Sequence, residues 1–67
     1  MKKGTLVKYD YESLPEEWRI LNPNIFDGIT FIYLSKVRKM KGHVYLQDIS
    51  SGKPYILDRI NIFKCKQ

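Results

Sequence analysis

Cysteine is all but missing from this chain: Cys65 is the single one in 67 residues. One thiol cannot close an internal disulfide, and with His43 as the lone histidine the two cannot fill a tetrahedral zinc site. Small secreted domains are normally stapled by disulfides, so their absence predicts a reducing, cytoplasmic setting. Long apolar runs are missing too. No stretch approaches the ~20 residues that cross a bilayer. Met1-Lys2-Lys3 begins like a secretory leader, but no apolar run follows it. These absences predict no metal, no cofactor and no membrane partner. The three prolines and four glycines punctuate short segments, with no repeat, linker or low-complexity tract between them.

What is present suffices for one core. A hydrophobic fraction of 43% and an aromatic fraction of 13% exclude a disordered chain, and residues 1–67 read as a single domain. A chain this short buries only about 60% of its unfolded surface. Little core remains to line a cofactor-sized cleft, and no small-molecule substrate is expected. The net charge is +5, from 12 basic against 7 acidic side chains. That balance favours acidic partners, although a charge of this size also serves solubility.

The stretch from Gly28 to Lys64 carries the fold class. Ile29 to Val37 is rich in β-branched and aromatic residues, and Ile29 to Leu34 within it is apolar on both faces, which suits a central, bent strand. Gly42 to Asp48 alternates, with Val44 and Leu46 on one face and His43, Tyr45 and Gln47 on the other. Ser50 to Lys53 is a turn. Pro54 to Leu57 is the next strand, with Pro54 at its start, where no ladder donor is needed. Leu57 to Ile60 predicts one helical turn, and Ile60 to Lys64 a last strand. Thr5 to Asp10 opens the series, with Val7 and Tyr9 on one face. The whole predicts a mostly β domain, a five-stranded small barrel with one short helix in its first long loop.

That helix follows from a change of period. Ser13 and Glu16 form a capping-box pattern, and Pro15 is tolerated in a first turn. Leu14, Trp18 and Leu21 make one apolar stripe, and Asn22-Pro23 ends it. A two-turn helix is unstable alone and must dock. The expectation is that Trp18 plugs one open end of the barrel.

Lys36, Arg38, Lys39 and Lys41 place four positive charges in one hairpin tip. Such a tip contacts phosphates or steers association, and it also discourages edge-to-edge pairing. Tyr33, Tyr45 and Tyr55 fall on three successive strands and, with His43, predict one aromatic face beside the tip. That face would serve as a stacking platform for bases or as a protein interface anchored by tyrosines. Glu16 and Glu17 sit at a helix start, with no second polarising group to make them catalytic. The chain therefore reads as a binding module, not an enzyme.

The order of elements is strand, long loop with a helical turn, three hairpin-linked strands, short helical turn, last strand. It resembles the SH3-like barrel with its KOW, Tudor and chromo-type members. Gly4-Thr5-Leu6-Val7-Lys8-Tyr9 is similar to the opening strand of such barrels. Tyr33-Leu34 through Met40-Lys41-Gly42-His43-Val44, then Ser51-Gly52-Lys53-Pro54-Tyr55 and Asn61-Ile62-Phe63, look like parts of small uncharacterised barrel proteins of bacteriophages and mobile elements. Val7-Lys8-Tyr9-Asp10-Tyr11 echoes the acidic aromatic segment of peptide-binding SH3 domains only loosely, so polyproline binding is not implied. The phage resemblance implies an accessory protein in the host cytoplasm that binds and modulates, or inhibits, a host or cellular protein with an acidic surface. Nucleic acid is the alternative ligand for the same face. The residues expected to carry either role are Tyr33, Lys36, Arg38, Lys39, Lys41, His43, Tyr45 and Tyr55.

Overall fold

A computed structural model describes residues 1–65. Its strands are β1 (Leu6–Tyr9), β2 (Phe31–Lys36), β3 (His43–Asp48), β4 (Pro54–Asp58) and β5 (Ile62–Lys64). All pair antiparallel in one sheet of order β4-β3-β2-β1-β5. The short helix α1 (Glu16–Leu21) lies between β1 and β2, and 3₁₀ turns occupy Tyr11–Ser13 and Arg59–Asn61.

Alternation along the strands sets the inside. Val7, Phe31, Tyr33, Val44, Leu46 and Ile62 form the buried cluster. Leu46 stands opposite Tyr33 on one side and Tyr55 on the other, so these three share the core face. The neighbours Tyr45 and Gln47 turn outward, as the period of two requires. The β2–β3 register slips between Tyr33 and Ser35, where Tyr33 faces Leu46 and Ser35 faces Tyr45. Leu34 is the extra residue of this bulge, which bends the strand expected to serve both faces.

The sequence predicts a small, strongly bent barrel or open sandwich; five strands form, in one sheet that does not close. Among the described residues no ladder joins β4 to β5, and each is an edge. The 3₁₀ turn at Arg59–Asn61 carries the chain from one edge to the other without pairing them. Asp58 holds that turn by accepting the Ile60 amide at 3.1 Å.

The helix also departs from expectation. The capping box does not form: Ser13 donates its hydroxyl to the Asp10 carbonyl, inside the preceding turn, and Pro15 takes the N-cap. Trp18 is 45% exposed, and no residue of α1 is buried. It meets Tyr11 edge-on, with centroids 6.5 Å apart. Six residues are too few to reach across the core, and the Tyr11 hydroxyl ties the helix end down by donating to the carbonyls of Arg19 and Asn22. The plug is Phe26, farther along the same loop. Its ring packs on Tyr9, Phe31 and Tyr55 at 5.1, 5.6 and 5.4 Å.

Candidate functional site

Strands β2 and β3 leave the sheet together, and the residues between them project as a tip. Three bonds shape it: Val37 N–H to the His43 carbonyl, Met40 N–H to Val37, and His43 N–H to Met40, at 3.0, 3.2 and 3.0 Å. Gly42 makes the return at φ +80°, a conformation that side chains resist. Val37 is buried and roots the tip, while Lys36, Arg38, Lys39 and Lys41 are exposed.

A second element joins them. The Arg59 amide donates to the Gly42 carbonyl at 2.8 Å, which seats the 3₁₀ turn after β4 against the tip. Between them lies a cleft of about 380 Å³ lined by Lys36, Arg38, Lys41, His43 and Arg59, with Val37 and Val44 beneath. His43 Nδ1 lies 3.1 Å from the Lys41 carbonyl. A carbonyl only accepts, so this contact places a proton on Nδ1 and engages that nitrogen within the tip. An adjoining recess shares Lys36, Val37 and Arg38 and adds Lys39 and Tyr45.

The charges are segregated along the sheet. Five of the seven carboxylates, Asp10, Glu12, Glu16, Glu17 and Asp27, lie in the β1–β2 connection, at the end where β2 begins. The tip lies at the end where β2 finishes. Among the described residues the one ion pair is Arg19–Glu12, 3.2 Å, within that acidic connection. Among the described residues no carboxylate lines the basic cleft, and the one acidic side chain at that end of the sheet is Asp58, opposite His43.

The tyrosine face does not form. Tyr33 is 5% exposed and belongs to the core, and Tyr55 is half-buried against Phe26 and Phe31. Tyr45 is 40% exposed on the opposite side of the sheet. The cause is register. Tyr33 and Tyr55 both flank inward-facing Leu46, and Tyr45 is its neighbour in the chain. Of the eight residues singled out in the sequence, Lys36, Arg38, Lys41 and His43 come together in the cleft. Lys39 and Tyr45 join them in the adjoining recess, and Tyr33 and Tyr55 are withdrawn into or against the core.

Two residues were not singled out. Arg59 enters through a backbone bond across the fold, which no local pattern announces. Ile56 stands opposite Tyr45 on the outer face and is exposed. Its parity against Tyr55 and Leu57 was readable, but not which face would be left bare. Tyr45, Pro54, Tyr55 and Ile56 line a shallow apolar hollow there, and Leu6 and Phe63 are exposed elsewhere on the sheet.

Among the described residues no three His, Cys, Asp or Glu side chains gather as a metal site, and no helix is long and apolar enough to cross a membrane. No family model, curated protein or solved structure matches the chain.

Proposed function

We propose that this chain is a non-enzymatic binding module that docks on an acidic surface of a host or cellular protein, using the outer face of β3 and β4 together with the basic tip. The reading is carried by the position of Tyr45. It is exposed opposite Ile56 in the β3–β4 ladder, and it lines one recess with Lys36, Arg38 and Lys39. An aromatic anchor on an apolar patch, bounded by a charged rim, is the usual anatomy of a protein interface. The tip charges steer encounter with an acidic partner and act mainly on the association rate. The strand order, with its long first connection and the 3₁₀ turn before the last strand, supports placing the domain in the SH3-like class.

Nucleic acid is the weaker reading. With Tyr33 in the core and Tyr55 packed on Phe26, one exposed ring remains beside the cations, where a stacking platform needs several. The test is capture from nuclease-treated lysate on three immobilised forms: the natural chain, Tyr45→Ala with Ile56→Ser, and the tip with its four cations replaced by Gln. A protein held by the natural chain after nuclease, lost by the outer-face variant and slower to bind the tip variant, is the expected result. Material that disappears on nuclease treatment, or a captured protein indifferent to Tyr45 and Ile56, overturns the reading.

A further inference from the structure

We infer that the cleft between the hairpin tip and the 3₁₀ turn binds a phosphomonoester, presented as a phosphorylated serine or threonine of a peptide. The inference deepens the protein-docking reading by naming a chemical group on the partner. The cleft shares Lys36 and Arg38 with the recess that Tyr45 lines, but Arg59 lines the cleft alone and Ile56 the outer face alone, so each reading can fail without the other.

The first ground is charge. Among the described residues Lys36, Arg38, Lys41 and Arg59 line one cleft with no carboxylate among them; Asp58, opposite His43 at the same end, accepts the Ile60 amide, and five of the seven acidic side chains lie at the other end of the sheet. Cations gathered in a concavity, with low-dielectric Val37 and Val44 beneath, focus a positive potential that an anion relieves. The second ground is geometry. The two arginines come from different elements, and the Arg59–Gly42 backbone bond fixes those elements against each other. Guanidinium forks match phosphate oxygens two at a time, and donors carried on fixed elements lose little freedom when they bind.

The third ground is arrangement. A nucleic-acid strand carries single charges spaced along its length and calls for cations in a row. Here they surround one cleft. A phosphomonoester offers three acceptor oxygens and a charge of about −1.5 to −2 on a single centre, which suits converging donors. A carboxylate offers two oxygens and one charge, and would leave most of the cleft uncompensated.

The experiment is an amide-resolved NMR titration of the full chain at one fixed ionic strength. The probes are a capped Gly-Gly-phosphoserine-Gly-Gly peptide, its serine and glutamate counterparts, inorganic phosphate, and a mixed-sequence single-stranded DNA. The phosphopeptide is expected to move the amides of Val37, Gly42, His43 and Arg59. It should bind more tightly than the glutamate peptide by roughly tenfold, the scale of one charge-assisted hydrogen bond. Arg38→Gln and Arg59→Gln should each weaken it by a similar, roughly tenfold factor, and Arg59→Lys by an intermediate one. Lys53→Gln removes the same charge from the β3–β4 turn at the far end of the sheet and should change affinity by less than about twofold. Arg59→Gln, which lies outside the recess of Tyr45, should weaken phosphopeptide binding whether or not docking survives. The substituted arginines are exposed, and unshifted core amides in the same spectra report that each variant is folded.

Equal affinity for the glutamate peptide would make the cleft a general anion sink. Tighter binding of the DNA at the same amides would make it part of a polyanion track. Inorganic phosphate binding as well as the peptide would make the ligand free phosphate. Each of these, like a Lys53→Gln loss equal to that of Arg59→Gln, or no binding of the phosphopeptide, overturns the inference.

Discussion

The ring of Phe26 meets that of Tyr55 edge-on, with centroids 5.4 Å apart and planes at 88°. A loop residue is thereby built into the aromatic cluster of the sheet, since Phe31 lies within 5.6 Å of both. Edge-to-face contacts place the positive rim of one ring on the negative face of the next, each worth about 0.5–1.5 kcal/mol beyond the area it buries. Phe26 makes several such contacts, and α1 upstream makes only that of Trp18 with Tyr11.

Phe26→Ala is accordingly expected to destabilise the fold by about 2–4 kcal/mol, somewhat below the range for a fully buried aromatic. Trp18→Ala should lose about 1 kcal/mol or less, the value of one exposed edge contact. Urea unfolding of the two variants checks the order. A larger loss at Trp18 would restore it as the plug.

The two sides of the sheet predict a second contrast. Tyr33→Ala removes a core ring and should lose about 3–5 kcal/mol. Tyr45→Ala removes an outer-face ring whose cross-strand contact with Ile56 is worth about 0.2–1 kcal/mol. Denaturation midpoints should therefore separate widely, while partner capture is lost with Tyr45. Similar midpoints for the two would contradict the register.

A third prediction concerns acid. Asp48, buried at the end of β3, accepts the Ser50 amide at 2.8 Å and the Ser51 amide at 3.4 Å. The Ser50 amide is the main cause holding its carboxyl below the ordinary 3.8; burial opposes it, and the Ser51 hydroxyl and amide add to it. The unfolded chain thus takes up this proton more readily. The associated stability is complete above the ordinary value and is lost as pH falls through the lower, folded one. Thermal melts should show a midpoint that drops below about pH 4, and Asp48→Asn should flatten that limb. An unchanged acid limb in the variant would assign the effect to another carboxylate.

The strands were legible because alternation is local: Val44 and Leu46 against Tyr45 and Gln47 needs only a period of two. The basic tip was legible because its four cations sit within six residues of chain. The tyrosine face was not, because it depends on how three strands slide past one another, and Leu46 claims both Tyr33 and Tyr55 as core neighbours. The plug was misassigned for a related reason. Trp18 lies on a good helical stripe, but the stripe says nothing about whether the helix reaches the core, and Phe26 follows no pattern at all. Arg59 entered the cleft by a bond to Gly42 that is remote in sequence.

Of the five strands, β1 is synthesised first and β5 last, yet they are neighbours: Lys8 stands opposite Phe63, and the Cys65 amide reaches the Leu6 carbonyl at 2.9 Å. The meander of β2, β3 and β4 can zip as it emerges from the ribosome, but β1 has one flank bare until the final strand arrives. Ile62, which stands opposite Tyr9 and shares the core cluster with Val7, is delivered at the same late moment. A nascent chain halted before residue 62 would carry an unlatched sheet, and Ile62–Lys64 act as the clasp that ends its exposure during translation.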